Sequence, residues 1–467
     1  MRKLVILMLA GLLSACGGGG SDSGSGGGTS SGGSTGSSTG GTSSGGTSGS
    51  LVTVDSGVRY QTIAGWEATA NVDDWAGEIT QQEARNYVQA SVDNVGNTRL
   101  RLEIRSGVEG QIGAFDEYST APHNEAKWRS RRYPVINDDN DPFHINPAGF
   151  DFAEIDHNID YIVLPMKQML EAHGEKLFLN ICYVSFLDGA ASVHEDPDEY
   201  AEFALATMEH LRSRGLQPDT WEVILEPDVA KNWSGQRIGQ AIVKTQQRFQ
   251  ANGFGNVKFI APSTTNMASA STYFDQMLTV SGVLPHLAEL SYHRYSGRTT
   301  NALNNITQRA SDNNIGSSML EWWFGNATPD VLFEDLGAGA VAFQGRVISG
   351  NFKNAPTSVS ALVMNDDVRQ NSLLYRAVRP GATRIGATSQ NSRFKALAFL
   401  RPDNKIVAAL YASGAGSVTV HGLSSGNYKI STANATGGTG PTAATRKSNG
   451  DIDVSTSGAG IVVIEPS

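Results

Sequence analysis

Two glutamates stand out among the residues able to do chemistry. Glu226 follows the apolar run Trp221-Glu222-Val223-Ile224-Leu225 and precedes Pro227; Glu321 follows Ser318-Met319-Leu320 and precedes Trp322 and Trp323. A carboxylate that ends an apolar run is costly to desolvate unless it is paired or hydrogen-bonded. Either glutamate alone could be half of a buried structural ion pair. Two of them at the carboxyl ends of matched strands in one barrel would instead face each other across its mouth, where such barrels place their chemistry. At a separation of about 5–5.5 Å, a pair of this kind performs double displacement at an anomeric carbon with retention. Glu321 would attack that carbon, and Glu226 would protonate the leaving oxygen and then deprotonate water. The tryptophans after Glu321 suit a wall on which a sugar ring stacks, as do Trp66 and Trp233, although a tryptophan at a strand end is core as often as platform.

The elements that would position the pair are readable between Thr62 and about Met364. Short apolar runs alternate there with helical patterns: Ile63–Ala68, Thr98–Ile104, Lys176–Tyr183, Trp221–Leu225, Val257–Ala261, Ala288–Tyr292 and Ser317–Leu320. Thr80-Gln81-Gln82-Glu83 is a capping box, and Gly174, Gly215 and Gly253 each close a periodic segment as a C-terminal glycine does. From the third strand onward the strand starts recur about every 30 to 45 residues, the cadence of repeated βα units in a closed parallel barrel. The eighth strand falls in Ala340–Gln344 or in Val359–Met364. After about Leu374 short alternating runs recur between turns, which predicts an antiparallel β-sandwich. Leu51–Tyr60 has the same alternation and is expected to join it. The expected fold is therefore a (β/α)8 barrel over residues 62–373, with a β-sandwich side domain made of 374–467 and an N-terminal strand at 51–61.

The ends of the chain carry an address. Arg2 and Lys3 precede an apolar stretch, Leu4 to Leu13, that is too short to span a bilayer. Leu13-Ser14-Ala15-Cys16 follows and resembles a bacterial lipobox, in which Cys16 becomes the lipidated first residue; residues 1–16 then form the signal segment. The residue after it is Gly17 rather than Asp, which favours the outer membrane of a Gram-negative cell. Residues 17–50 are almost purely Gly, Ser and Thr and read as a flexible tether with a reach of roughly 30–35 Å. A net charge of −10 disfavours nucleic acid or anionic lipid as the main partner, so the membrane is expected to be met only through the anchor. After lipidation Cys182 is the only cysteine, so no intramolecular disulfide is expected, and zinc-ligand spacings are missing. No cofactor or metal is expected, the partner is a β-linked glycan, and the chain is expected to act as a monomer.

Taken together, these residues resemble glycoside hydrolase clan A, and within it family 30. Glu226-Pro227 on the fourth strand and Glu321 on the seventh carry the clan resemblance. Gln61-Thr62-Ile63-Ala64-Gly65-Trp66 is similar to the family's entry into the first strand, and Arg99-Leu100-Arg101-Leu102 to its second-strand arginine pair. Ser291-Tyr292-His293-Arg294-Tyr295 is similar to its sixth-strand His-x-Tyr, and Arg379-Pro380-Gly381-Ala382 to the segment leading into its side domain. The resemblance covers nearly all of residues 55–467. It implies that Tyr295 hydrogen-bonds the nucleophile Glu321, that His293 contacts the sugar or Glu226, and that Arg101 holds the other oxygen of Glu321. Read from the residues alone, Arg101 could equally be a lumen arginine paired with Glu103. Glu67 and Glu103 read as tuning or structural partners.

One position departs from the clan. Asn usually precedes the acid/base and donates to the sugar 2-hydroxyl, but here that residue is Leu225, which cannot donate. A missing transition-state donor of this kind costs about 3–4 kcal/mol unless another group replaces it. Either Asn180 or Asn71 supplies an amide, or the bound sugar does not present its 2-hydroxyl in the usual way. Leu225 also leaves open a surface glycan-binding protein on a barrel that has lost catalysis. The long Ser106–Gly149 connection carries Trp128-Arg129-Ser130-Arg131-Arg132, which could meet an acidic glycan. It also carries Asn137-Asp138-Asp139-Asn140-Asp141, which lacks EF-hand spacing and reads as a solvated turn.

Overall fold

The computed structural model of the protein describes residues 50–70, 79–120, 123–187, 189–323 and 327–467. The signal segment with Cys16, the tether up to residue 49, Asn71 and Trp75 lie outside the described residues. Eight parallel strands close a barrel in chain order. Before it comes β1 (Leu51–Thr62), and the barrel strands are β2 (Gly65–Thr69), β3 (Arg99–Arg105), β4 (Phe178–Val184), β5 (Thr220–Glu222), β6 (Lys258–Asn266), β7 (Leu287–Ser296), β8 (Gly316–Glu321) and β9 (Ala340–Val347). The eighth barrel strand is thus the Ala340 run; Val359–Ala361 is a single 3₁₀ turn. Both faces of the barrel strands are buried, one by helices and one by the lumen, and where the lumen face is polar, as in β3, the sequence alternates.

Helix starts follow the caps read in the sequence. Thr80 accepts from the Glu83 amide while Glu83 returns a bond to the Thr80 backbone, opening the helix Gln81–Ala90. Asp196 caps Pro197–Ser213, with proline at the first helical position where its missing N–H costs nothing. Gly65 sits where β2 and β3 come closest: a Cβ there would lie 2.7 Å from Thr98 Oγ1.

The remaining strands are β10 (Thr383–Ser389), β11 (Phe394–Leu400), β12 (Ile406–Ala412), β13 (Gly416–His421), β14 (Tyr428–Asn434), β15 (Gly438–Ala443), β16 (Ile452–Thr456) and β17 (Gly460–Pro466). With β1 they form a nine-stranded sheet in the order β15-β14-β17-β12-β11-β10-β1-β13-β16. Its inner face buries Val52, Val54, Ile385, Leu410, Val420 and Val462 in a core separate from that of the barrel. The sheet corrects the antiparallel expectation at one place, because β1 pairs with β13 in parallel. The expected boundary at residue 374 also shifts, since the helix Asp366–Ala377 runs through it and the first side-domain strand after it starts at Thr383.

The two segments that resemble the family's entry and exit lock together. Ile63 and the Arg-Pro-Gly-Ala segment exchange backbone bonds, Ile63 N to Ala382 O at 2.8 Å and Gly381 N to Ile63 O at 2.9 Å. The Gln61 amide donates to Leu336 O and Ala340 O and accepts from Arg384 Nε, so one side chain ties β1, β9 and β10. Trp66 belongs to this joint. Its ring is fully buried, stacks on Tyr375 with centroids 4.5 Å apart, and donates to Val378 O at 2.7 Å. Trp66→Ala is expected to lower unfolding stability by about 3–5 kcal/mol, as large aromatic deletions in packed cores do. Denaturant titration checks this, and a loss below about 1 kcal/mol would mean the joint does not depend on the indole.

Candidate active site

Glu226 lies beyond the last ladder pairing of β5, on a segment that still follows the barrel. Val223 N bonds Ile260 O, Leu225 N bonds Tyr183 O and Glu226 N bonds Ser263 O, so the chain stays anchored to β4 and β6 up to the carboxylate. Glu226 itself adopts φ 52°, ψ 59°, a left-handed conformation that non-glycine residues avoid and that clusters at functional sites. The ring of His293 on β7 is fully buried, and its Nδ1 lies 3.0 Å from Glu226 Oε1. Glu321 ends β8. Its Oε1 accepts from Tyr295 Oη at 2.8 Å, and its Oε2 accepts from Arg101 Nη2. One carboxylate oxygen of Glu226, one of Glu321 and a ring nitrogen of His293 lie within 4.8 Å of one another. These three are also close enough to share a cation, but the guanidinium already seated on Glu321 opposes one.

The two carboxylates sit in different surroundings. Burial pushes the Glu226 carboxyl above the usual glutamate range; the His293 hydrogen bond opposes that and the charge of Glu321 adds to it. His293 is itself raised, because Glu321 and Glu226 together outweigh the lowering effect of burial. Burial and the Glu321 charge hold the Tyr295 phenol far above its ordinary value, so it stays a donor. Arg101 serves two carboxylates of the lumen, with Nη2 2.8 Å from Glu103 Oε1 as well as on Glu321, which resolves the two readings of Arg101 into one residue with two partners.

The upward shift of Glu226 is in the direction a general acid needs. Activity should therefore fall on the alkaline side as Glu226 ionises, above the ordinary glutamate range. His293→Phe removes the bond that favours the ionised form, so the alkaline limb should move to higher pH while kcat/KM drops. The pH profile of kcat/KM in the two proteins checks this; an unmoved or lowered limb would mean that His293 does not act on Glu226.

Glu289, Arg105 and Gln344 join the lumen network without having stood out in the sequence. Arg99 holds Glu67 at 3.0 Å and Glu289 at 2.7 Å on the barrel floor. Glu103 bridges Arg101 and Arg105, the latter at 2.5 Å. Gln344 accepts from Trp323 Nε1 at 3.0 Å and donates to Glu67, and so orients Trp323. The strict alternation of β3, β7 and β9 is the signal that could have placed Glu289 and Gln344 in the lumen.

Four of the candidate contacts are corrected. Asn180 is fully buried, its amide donating to Glu222 Oε2 at 2.8 Å and accepting from Thr220 Oγ1 at 3.0 Å, within the barrel one pleat below Cys182. Trp66 is the structural joint described above. Trp233 is 4% exposed and packs edge-on to Tyr200 and against Tyr183. Trp322 is buried beneath Arg294 and Arg298, whose guanidinium carbons lie 5.4 and 5.0 Å from its ring centroid. Of the four candidate tryptophans only Trp323 stands half-buried beside the pair, 5.7 Å from the Arg101 guanidinium.

The long connection is structured as well. Trp128 stacks on Tyr118 at 4.3 Å under Arg132, and the basic run is already paired: Arg129 with Glu125, Arg131 with Glu117, Arg132 with Glu154. In the acidic run, Asp138 and Asp141 accept backbone N–H groups and Asp139 pairs with His144, as a self-bonded turn does. Cys182 is fully buried on the lumen face of β4.

With this geometry in hand, comparison with known proteins gives the class. Residues 381–436 match the Glycosyl hydrolase family 30 beta sandwich domain. The catalytic domain of GH30 xylanase C from Talaromyces cellulolyticus has a similar structure, with TM-score 0.64 and 14% identity, covering 89% of this chain and 99% of that one. A GH30 endoxylanase from Clostridium papyrosolvens C71 gives TM-score 0.61 and 18% identity, covering 88% and 98%. The endo-beta1,6-glucanase BT3312 gives TM-score 0.61 and 12% identity, covering 89% and 93%. No curated protein matches the chain by sequence. The chain thus resembles glycoside hydrolase clan A and family 30, and it has the fold of that family, an eight-stranded parallel barrel with a β-sandwich side domain.

Proposed function

We propose that this chain is a glycoside hydrolase that cleaves β-linked oligo- or polysaccharides by double displacement with retention. The observation that carries this is the approach of the Glu226 and Glu321 carboxylates, with oxygens within 4.8 Å. So close an approach supports a retaining pair, whose carboxyls stand about 5–5.5 Å apart, over an inverting pair at about 6.5–9.5 Å. Glu321, oriented through both oxygens by Arg101 and Tyr295, attacks the anomeric carbon. Glu226, its carboxyl raised by burial, gives its proton to the leaving oxygen and then, as the carboxylate, takes one from water. The similar solved structures are named as xylanases and an endo-β-1,6-glucanase, which supports a β-glycan as the substrate class. The lipobox-like Leu13-Ser14-Ala15-Cys16 supports anchorage at the cell envelope, in the outer membrane.

Leu225 favours the second reading, a glycan-binding protein without turnover. Reducing-end release from a panel of β-glycans, with Glu226→Gln and Glu321→Gln as controls, separates the two. The hydrolase reading requires release that both substitutions abolish. Binding without release, or release indifferent to both, would overturn it.

A further inference from the structure

The wall beside the carboxylate pair is apolar on one side, and its position says which part of the sugar it meets. Along β4, Ile181 and Tyr183 face the outer helices, whereas Asn180, Cys182 and Val184 face the lumen, as the Asn180–Glu222 bond requires. Leu225 packs on Cys182 and Val184, and Tyr133 and Phe186 cover the same cluster. The two aromatic rings meet edge to face at 5.6 Å. The side chain next to the acid/base is thus part of a hydrophobic surface above the lumen, on the Arg101 side of Glu321. The opposite side carries Tyr295 and His293.

Charge orients a pyranose between these two sides. In an oxocarbenium-like transition state positive charge is shared by the anomeric carbon and the ring oxygen. A guanidinium repels that oxygen, whereas a neutral phenol oxygen does not. The ring oxygen therefore lies toward Tyr295, and C2, on the other flank of the anomeric carbon, lies toward Arg101, Cys182 and Leu225. A free hydroxyl at C2 would lose its water against Leu225 and Phe186, and among the described residues the Asn180 amide lies one pleat deeper in the barrel, fully buried and bonded to Glu222 and Thr220.

Resting on the hydrolase reading, we infer that the sugar cleaved at this site carries at C2 a methyl-terminated cap, an O-alkyl, O-acyl or N-acyl group, in place of a free hydroxyl. Leu225 and Phe186 are the residues that select it, with Val184 packed behind them. The cap's methyl group fills the surface that a hydroxyl would leave unsatisfied.

The test uses aryl β-glycosides of one parent sugar with C2 as free hydroxyl, O-methyl, acetamido or deoxy, and compares kcat/KM in the wild-type chain. A capped member, O-methyl or acetamido, should exceed the free hydroxyl by about 10-fold or more, the scale on which hydrophobic pockets discriminate. Which of the two leads distinguishes an ether or ester cap from an amide. Leu225→Asn should narrow or reverse that preference. Phe186→Ser, at a half-buried position that tolerates change, should narrow it even if the first variant fails to fold. If only the deoxy sugar gains, or the free hydroxyl is cleaved as fast as every capped sugar, the inference falls while the hydrolase reading stands. If no member is hydrolysed and no β-glycan is cut either, both fall together.

Discussion

Glu321→Ala is expected to lose turnover on every β-glycoside by about 10⁴-fold or more, because no other group can form the glycosyl ester of the first step. Glu226→Ala should behave differently, dividing substrates by their leaving group. A glycan alcohol is basic and needs the Glu226 proton, so its hydrolysis should fall nearly as far. A very acidic phenol departs unaided, so its first step should survive and release a burst of phenol. The intermediate then accumulates, since no base remains to activate water. The difference follows from the structure. Glu321 is held by two donors and Glu226 by one, and the Glu226 carboxyl is raised by burial and by the charge beside it. Pre-steady-state phenol release checks the claim; equal losses on both substrate types in both variants would contradict it.

Arg101→Met should be strongly destabilising. The guanidinium is fully buried and serves Glu321 and Glu103 at once, so removing it leaves two carboxylates without their shared cation. Breaking one partner out of a buried ion pair costs about 3–5 kcal/mol. Glu103 keeps Arg105 at 2.5 Å, which places this loss toward about 3 kcal/mol. Activity should collapse as well, since the nucleophile loses one of its two orienting bonds. Adding Glu103→Gln removes one orphaned charge and should recover part of the stability but none of the activity. Chemical denaturation and kcat together test this. A double variant no more stable than Arg101→Met would mean that Glu103 is not part of the network.

The barrel was legible in the sequence because each βα unit repeats one pattern, a short apolar run and then an amphipathic helix, and seven of eight strands announce themselves that way. The sandwich was less so. β15 reads Gly438-Thr439-Gly440-Pro441, an exposed edge strand with two glycines and a proline and no apolar face to betray it. β10 was missed because Thr383-Arg384-Ile385-Gly386 has a single large apolar residue, its burial supplied by β1 and β11 from distant parts of the chain. Within the site, Glu226, Glu321, Arg101, His293 and Tyr295 carry local patterns that survive without a structure. The tryptophans do not. Whether Trp66 meets sugar or core depends on Tyr375 and Val378, about three hundred residues away, and no local signal encodes that contact. Asn180 misled for the same reason, since its partner Glu222 sits inside a run that reads only as a buried strand.

The most direct measurement of the central claim is azide rescue of Glu226→Ala on an aryl β-glycoside with an acidic phenol, with the anomeric configuration of the product read by proton NMR. Azide needs no general base, so it should attack the glycosyl–Glu321 intermediate from the face that Glu226 once served and restore turnover. The account predicts a β-glycosyl azide from Glu226→Ala and, from Glu321→Ala, at most the α anomer. An α-glycosyl azide from Glu226→Ala would show the two roles to be reversed, and unimpaired hydrolysis in both variants would show that the pair is not the catalytic one.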